Sequence, residues 1–501
     1  IQYDDFQKEP VMVAESIQAA RPPELQDKAE TKRVELHLHT KMSAMDSVVD
    51  LREAVKTAAA WGHPALAVTD HGVVQAYPEA AQLAKEYGIK IIYGIEGYMV
   101  HDQEPVLTGA VPDCGFTEVP LVVLALAAGP SLRQDEVSGL AALRIEGGEP
   151  AGEFLLAPGK PLGDEELREF LAFAGGAVIA LYNTGSGWYQ LSRRLRQLDP
   201  AYQPAVLRVL HFYRVLRSSS EEEDLPELPA ELRGALAEKD GGGGRNMAEE
   251  ARILWEITLK ALAACREKGI TSWRELGTLL PPAGAQRSLE ELPSRHILLL
   301  VRNITGLNNL YRLVSEAHLR FFHRHPRFPK SLLARYREGL LLGTACESGE
   351  LFSALLAGAG EEELAEIVSF YDFLEIQPLG NNEFLLREGR LTREELIELN
   401  REICRLGEKY GKPVVATGDV HFLRPHDEVF RRILMAGQGY TDADRQPPLY
   451  FRTTGEMLAE FSYLSPETAY QVVVENPRRL AEEIEELAPV PEEFCPPEIP
   501  G

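Results

Sequence analysis

The chain has 501 residues, 45% of them hydrophobic, and a net charge of −25. This length and apolar content allow two or three domains with substantial cores, and no apolar run is long enough to cross a membrane. The acidic balance argues against a dedicated nucleic-acid-binding surface, because phosphate contacts come from Lys and Arg, but it leaves open an enzyme that meets DNA only at a metal centre.

The ends and the cysteines further restrict the class of protein. The chain begins with Ile1 rather than Met, which indicates a fragment, and its start has no basic region followed by an apolar one. Five scattered cysteines without a CxxC pair argue against a disulfide framework and against a zinc ribbon. We therefore expect a soluble, cytoplasmic protein.

The first part of the chain alternates between strand and helix patterns. Residues 1–30 predict only a short strand at Val11–Ala14 and a proline-containing linker. The elements predicted after this linker are strands at Val34–His39, Ala65–Thr69 and Ile91–Ile95, and helices at Val48–Trp61 and Ala76–Tyr87. Such alternation is typical of parallel strands joined by crossover helices.

The alternation stops between about residue 103 and residue 290. Ser218–Asp224 and Gly241–Gly244 predict loops there. It resumes with strands predicted at His296–Leu300, Gly339–Gly343, Asp372–Ile376 and Pro413–Thr417. The simplest architecture is an α/β fold, a βα barrel (31–102 and 291–501) interrupted by an inserted domain (103–290).

Three short motifs place metal-binding side chains at predicted strand ends. His37 and His39 form an i, i+2 pair, Asp419 and His421 form a second, and Thr69–Gly72 has the sequence TDHG with His71. Alternate side chains of a strand point to one face, so each pair should converge on one side. Imidazoles and carboxylates at the carboxyl ends of barrel strands suit a cluster of Zn²⁺, Mn²⁺ or Fe ions.

These segments resemble a known family, the PHP (polymerase and histidinol phosphatase) domain of PolC-type DNA polymerase III α subunits. Arg33–Asp46 is similar to the first family motif, and Ala67–Gln75 and Ile92–Glu96 are similar to the second and third. The resemblance continues in His296–Leu310, Glu338–Cys346 and Val414–Phe422, and residues 1–30 resemble the tail of the preceding OB domain.

The resemblance implies a distorted barrel of about seven strands and a trinuclear metal centre with nine ligands. Matched motif by motif, the ligands are His37, His39, Asp46, His71, Glu96, His296, Cys346, Asp419 and His421. The catalysis would be carried by six of these residues: His37, His39, Asp46, His71, Asp419 and His421. Asp70 would support His71 without itself binding a metal.

Residue spacing alone does not identify Asp46, Glu96, His296 or Cys346. A lone Glu is usually solvated and a lone buried Cys usually acts as a small hydrophobe. The remaining histidines, His323 and His325 among them, are expected to be structural or at the surface.

In the resembling family a DEDD-type exonuclease, an RNase H-like α/β domain, is inserted in the PHP domain. It needs paired carboxylates for two Mg²⁺ ions. Here the first motif corresponds to Leu121–Gly129, with Ala125 and Ala127 in place of both acids. The second resembles Tyr182–Trp188 and keeps only Asn183, and the last resembles Gly244–Glu249. We therefore expect this insertion to be inactive. We also find no Asp-x-Asp on a strand of the type that carries the nucleotidyl-transfer metals of a polymerase palm.

Three functions share the metal ligands. The first is a metal-dependent phosphoesterase, a 3′–5′ exonuclease that meets the primer end within a replicative polymerase. Its partners would be the palm, thumb and fingers domains, DNA and the sliding clamp. The second is a catalytically silent, metal-stabilised scaffold for the polymerase. The third, a small-molecule phosphatase of the histidinol-phosphatase type, is disfavoured by the insertion and the OB-like leader.

Overall fold

The structure is a computed structural model that describes residues 2–4, 9–11, 25–103, 105–128, 137–156, 162–182, 186–218, 247–279, 292–356 and 358–491. The strands are β1 Gln2–Asp4, β2 Glu9–Val11, β3 Ala65–Val68, β4 Lys90–Val100, β5 Leu107–Thr108, β6 Leu121–Ala128, β7 Val137–Glu146, β8 Glu149–Leu156, β9 Val178–Leu181, β10 Val206–Arg208, β11 Ser294–Val301, β12 Phe322–His323, β13 His325–Pro329, β14 Leu340–Gly343, β15 Leu374–Ile376 and β16 Val414–Ala416.

Helices connect and cover these strands. They are α1 Leu51–Trp61, α2 Tyr77–Tyr87, α3 Asp164–Ala174, α4 Ser186–Leu198, α5 Val209–Ser218, α6 Met247–Glu267, α7 Trp273–Gly277, α8 Ile304–Leu319, α9 Lys330–Arg335, α10 Glu350–Leu356, α11 Glu361–Phe370, α12 Glu383–Arg387, α13 Arg393–Tyr410, α14 Glu428–Gly437, α15 Thr454–Glu460, α16 Pro466–Tyr470 and α17 Asn476–Glu483. Among the described helices, none is both long and apolar enough to span a bilayer.

Local sequence explains the ends of the helix that follows the first histidine pair. Asp50 caps the start of α1 by accepting a hydrogen bond from the Glu53 backbone N–H. Gly62 ends the helix with φ of 77°, a left-handed conformation that glycine adopts without strain. Leu51, Val55 and Trp61 lie on the buried face between these two caps.

Strand pairings around the first and last parts of the chain form a closed ring. Residues 34–39 bridge to β3 through Glu35 and Leu66, and β3 runs parallel to β4. From β4 the pairings pass to β11 and then to β14, and a bridge from Gly343 leads on to Phe373, just before β15. β15 runs parallel to β16, and Leu38 bridges to Val420 just beyond it. The last bridge returns to the segment from which the ring began.

Two apolar clusters lie on opposite faces of these strands. On β11, Ile297 and Leu299 pack in the larger cluster with the helices, whereas Leu298 and Leu300 belong to a second cluster that includes Phe373. The period of two along a buried strand produces this separation. Both clusters consist of residues from before and after the insertion, so the two parts of the ring share their cores.

Three predicted elements differ in the structure. The predicted strand at Val34–His39 is held by isolated bridges, because side chains occupy backbone donors that a ladder would use: Glu35 accepts from the His37 N–H and Thr69 from the Leu38 N–H. The strand predicted at Val11–Ala14 ends at Val11, and residues 12–14 lie outside the described part. The alternation also predicted parallel strands, but β11 is antiparallel to both β4 and β14.

The central part of the chain forms its own six-stranded sheet in the order β5-β10-β9-β6-β7-β8. Strand β9 runs parallel to both of its neighbours, β10 and β6. Strand β7 runs antiparallel to both of its neighbours, β6 and β8. Alternate residues of β6 face two separate cores. Leu121 and Val123 pack with α5 and α6, and Val122 and Leu124 pack with α3 and α4. The sheet is therefore sandwiched between helices.

Candidate metal centre

All nine side chains implied by the family resemblance lie in one connected cluster. Each has a candidate ligand atom within 3.6 Å of another member's. Three groups of three could each hold an ion: His39, His71 and His421; His37, His39 and Glu96; and Glu96, His296 and Cys346.

Glu96 on β4 lies at the middle of the cluster. Its Oε1 is 2.9 Å from His296 Nδ1 and 3.5 Å from His37 Nε2, and its Oε2 is 2.9 Å from His71 Nδ1. Cys346 Sγ lies 3.2 Å from the same His296 nitrogen. His39 Nε2 lies 3.6 Å from the same Oε2, so one carboxylate faces four imidazoles, which is the arrangement of a bridging ligand.

His296 corrects the prediction that the ligands stand at strand carboxyl ends. It is near the start of β11 and pairs with Tyr98, close to the end of β4. Because β11 runs antiparallel to β4, its first residues lie beside the carboxyl end of that strand. His296 therefore reaches the same end of the ring as the other ligands through the opposite strand polarity.

The Asp419 and His421 pair also reaches the cluster by a different route from the one predicted. Both residues follow β16, and Asp419 has φ of 49°, so this is not an extended i, i+2 pair. Asp419 Oδ1 lies 3.3 Å from His39 Nε2 and 3.5 Å from His37 Nε2. Gly418 immediately precedes Asp419. A larger residue at position 418 would clash, because its Cβ would lie only 2.8 Å from a carboxylate oxygen of Glu35.

Left-handed backbone recurs beside candidate ligands. Four non-glycine residues have positive φ in the described part: Met45, Arg324, Ala345 and Asp419. Met45 immediately precedes Asp46, and Ala345 immediately precedes Cys346. Such conformations carry a local cost and persist where surrounding structure fixes them, often at functional sites.

Hydrogen bonds fix which nitrogen of three histidines faces the cluster. His37 Nδ1 lies 2.8 Å from Glu375 Oε1, and His421 Nδ1 lies 2.8 Å from the Asp419 carbonyl oxygen. Both acceptors require the Nδ1–H tautomer. Ser43 donates to Asp70, so His39 Nδ1 donates to Ser43 Oγ at 3.1 Å. In all three rings the bare Nε2 is left for a metal.

The predicted role of Asp70 is modified by these contacts. Asp70 accepts from the Thr40 N–H and hydroxyl and from the Ser43 hydroxyl. Ser43 in turn contacts the His39 ring and accepts from the His71 backbone N–H. Asp70 thus supports the His39 imidazole through Ser43, and it reaches His71 only through the backbone.

Two observations test whether the cluster fits metal ions. His37 Nε2, His39 Nε2, His71 Nδ1 and Asp419 Oδ1 are buried without a hydrogen-bond partner, although buried polar atoms are nearly always satisfied. Neighbouring ligands at about 2.1 Å from a tetrahedral ion lie roughly 3.4 Å apart. The Nε2–carboxylate distances around His37 and His39 are 3.3 to 3.6 Å. The side chains therefore fit divalent ions.

Neighbouring side chains of the cluster shift one another's pKa values strongly. Burial alone would lower the pKa of His37, but Glu375, Asp419 and Glu96 raise that pKa well above its ordinary value. Burial together with His71 lowers the pKa of His39 to about 3. Burial would raise the pKa values of Glu96 and Asp419, but His37 and neighbouring histidines hold both below their ordinary values. These two acids therefore stay ionised and draw positive charge into the site, which bound cations could supply in place of protons.

Sequence reasoning missed three residues that surround the ligands. Glu375 on β15 holds His37 and also accepts from Thr417. Arg431 on α14 donates to Asp46 Oδ1 at 2.6 Å. The Tyr98 ring lies 5.6 Å from that of His71 and 5.1 Å from that of His296. Tyr98, two residues after Glu96 on the same strand, could have been found from the period of two.

Ala125, predicted from the sequence to replace the first acid of an exonuclease, has apolar neighbours. Ala125 is buried in a small cluster with Ala141, Met247 and Ala251, the last two on α6. Glu249, on the same helix, is exposed. No group of three metal-binding side chains occurs in the described parts of this region. Asn183 and residues 244–246 lie outside those parts.

Residues 35–377 match the family model described as "PHP domain". The chain belongs to the PHP domain family. Its full length is also homologous to proteins named "DNA polymerase III PolC-type". The chain is 40% identical to the one from Clostridium perfringens over 99% of the chain, and 42% identical to the one from Caldanaerobacter subterraneus over 100%. These alignments cover 35% and 37% of the relatives, so the chain spans about a third of their length.

A solved structure, a putative metal-dependent phosphoesterase from Bifidobacterium adolescentis, aligns with 80% of the chain and 89% of its own. Its sequence identity is 11% and its TM-score is 0.26. The family assignment therefore rests on the sequence matches.

Proposed function

We propose that this chain is the PHP-containing part of a PolC-type replicative DNA polymerase, and that its metal centre hydrolyses phosphodiesters at 3′ DNA ends. The closed ring of strands would be the distorted seven-stranded barrel of the family. About three divalent ions, Zn²⁺, Mn²⁺ or Fe²⁺, would be held by the nine clustered side chains. The observation that carries the proposal is this convergence, in which four buried polar atoms face other candidate ligands without making a hydrogen bond.

Bound ions would supply hydroxide from coordinated water at neutral pH and would neutralise the phosphate. The chain's own residues prepare the site for them. Glu375 holds His37 with its Nε2 bare, and Ser43 does the same for His39. Asp46 and His296, with side chains 24% and 21% exposed, lie on the solvent side of the cluster, where a phosphate would enter.

We propose that the six-stranded insertion is an exonuclease-like domain without its own catalytic ions. Its strand order, with a parallel trio beside an antiparallel trio, supports an RNase H-like fold. The burial of Ala125 against Met247 and Ala251 supports the loss of the two-ion site, because under this proposal apolar side chains would stand where the exonuclease needs a carboxylate. The PHP centre would then be the candidate proofreader of this chain.

The remaining polymerase domains, DNA and the sliding clamp would be partners, and the polymerase would work in the cytoplasm. A silent, metal-stabilised scaffold is the alternative, favoured by the extensive burial of His37, His39 and Glu96, which exposes little of the centre to substrate.

The test is a nuclease assay on primer ends that are either matched or mismatched, with Mn²⁺, Zn²⁺ and Mg²⁺ compared. Metal-loaded full-length polymerase should release nucleotides from the 3′ end, and His71→Ala should abolish this release. An exposed histidine replaced in the same way, His426→Ala, is the matched control, since its side chain is 73% exposed. If loaded polymerase shows no trimming, and His71→Ala replicates DNA as well as the wild type, the scaffold alternative is correct.

A further inference from the structure

The two oxygens of the Asp46 carboxylate have different partners. Oδ2 lies 2.9 Å from His71 Nε2 and 3.1 Å from His421 Nε2, toward the cluster. Oδ1 accepts from Arg431 Nη2 at 2.6 Å on the opposite side. Arg431 Nε also donates to the Asp46 backbone carbonyl oxygen at 3.2 Å. One guanidinium therefore fixes both the backbone and the side chain of Asp46.

Helix α14 is attached to the Asp46 loop mainly by polar contacts. Its only buried side chain is Met435, which is still 9% exposed, while Phe430 and Ile433 are 55% and 63% exposed. Besides Arg431, Gln438 at the end of the helix donates to the carbonyl oxygen of Met45. Met45 has a left-handed φ of 64°. The helix thus holds the strained loop at Met45, and the next residue, Asp46, is a candidate ligand.

We propose that Arg431 is a positioning residue for the metal centre: it holds the Asp46 carboxylate so that Oδ2 alone faces the ion site formed with His71 and His421. This inference rests on the proposed metal centre and adds a residue outside its nine ligands. With Oδ1 engaged by Arg431, the carboxylate cannot turn both oxygens to one ion. The guanidinium also offsets part of the negative charge of Asp46 beside the cluster.

The geometry requires arginine in particular. Three of its nitrogens are in use at once, because Nη1 donates to Gln446 Oε1 at 2.7 Å in addition to the two contacts with Asp46. A planar guanidinium presents five N–H donors in a fixed fork, whereas a lysine ammonium is a single point of charge. Lysine at this position should therefore retain the attraction to Asp46 but lose the orientation.

The experiment measures ions per chain and their release to a weak chelator in Arg431→Gln, Arg431→Lys and wild type. Arg432→Gln is the matched control. It removes the same charge from the same helix, but Arg432 is 36% exposed and reaches only Glu428 at 3.9 Å and Asp444 at 4.0 Å. Arg431→Gln should lose about one ion of about three, with roughly 10- to 100-fold weaker binding of that ion. Arg431→Lys should lie between this variant and the wild type.

A merely structural Arg431 would leave the stoichiometry unchanged and lower the thermal midpoint alone. If Arg431→Gln keeps as many ions as Arg432→Gln and releases them as slowly, the inference is wrong while the metal centre stands. If the wild type itself holds less than one ion, the proposed centre fails and the inference fails with it.

Hydrogen exchange gives a second readout. Metal loading should slow exchange in 428–437 in the wild type and not in Arg431→Gln, and equal slowing in both would also overturn the inference.

Discussion

Glu96 and His296 are separated by 200 residues, yet Glu96 Oε1 lies 2.9 Å from His296 Nδ1. The two residues occupy neighbouring antiparallel strands, and the whole insertion lies between them in sequence. Because their side chains belong to one candidate ion site with Cys346, the centre needs both parts of the ring. The pairing of β4 with β11 therefore joins the two parts of the ring and brings Glu96 and His296 together.

Replacing His37 and His39 together by alanine should remove most of the bound metal and lower thermal stability. Ligand binding to the folded state alone adds to the free energy of unfolding, so loss of the ions removes that contribution. Elemental analysis after purification without chelator and thermal unfolding check this. His426→Ala should behave as the wild type in both measurements. A wild type with no bound metal, or a double variant with full occupancy, would contradict the ligand assignment.

Glu375→Gln should weaken metal binding about 10- to 100-fold without removing a ligand. Glutamine can offer its amide nitrogen to His37 Nδ1 and so favour the tautomer that protonates Nε2. Competition with a chromogenic chelator measures the change. Glu361→Gln, on an exposed side chain, is the control and should leave affinity unchanged. Equal affinity in both variants would show that Glu375 has a packing role only.

Much of this centre could be predicted from sequence because its motifs are local. His37, His39 and His71 lie within short patterns, and family resemblance added Asp46, Glu96, His296 and Cys346. The contacts of Arg431 and Glu375 were not predictable, because each joins a ligand more than 300 residues away and has no pattern of its own. The polarity of β11 was missed for a similar reason, since periodicity shows that a strand exists and not which neighbour it pairs with.

Glu350 should make stability depend on pH in acid. Burial would raise its pKa, but His101 and Lys330 together lower it from 4.5 to about 2. A folded-state pKa below the unfolded one gives stability that is fully present above pH 4.5 and is lost as the pH falls toward 2. The shift corresponds to about 3 kcal/mol at neutral pH.

Urea unfolding of metal-free wild type and Glu350→Gln between pH 7 and pH 3 tests this. The variant should be less stable at pH 7, and the difference should shrink below pH 4.5. Glu361→Gln again serves as the control, because Glu361 is exposed and its pKa depends on a surface pair with Lys409. A difference that stays constant over the whole pH range would mean that the loss in Glu350→Gln comes from packing rather than from charge.

The insertion should not degrade DNA with Mg²⁺. Ala125 packs against Met247 and Ala251, and under the proposed correspondence it takes the place of the first carboxylate of a two-ion site. In a protein with His37 and His39 replaced, Mg²⁺-dependent degradation should fall to the level of buffer. Activity that survives in that variant and disappears when Glu249 is also changed would show that the insertion has retained catalysis.

Hydrolysis of 3′ ends by the chain alone should be slow, and it should depend less on salt than hydrolysis by the full-length polymerase does. A net charge of −25 repels DNA, so the chain alone would bind through few phosphate contacts at the metal centre. A small number of such contacts gives a shallow salt dependence, and added salt also screens the repulsion. The full-length polymerase should trim faster, because its other domains would deliver the primer end. The measurement is the trimming rate from 50 to 200 mM salt for both proteins at equal metal occupancy. Equal rates, with equal salt dependence, would show that the chain binds the primer end without the other polymerase domains. Its net negative charge would then not limit its binding to DNA.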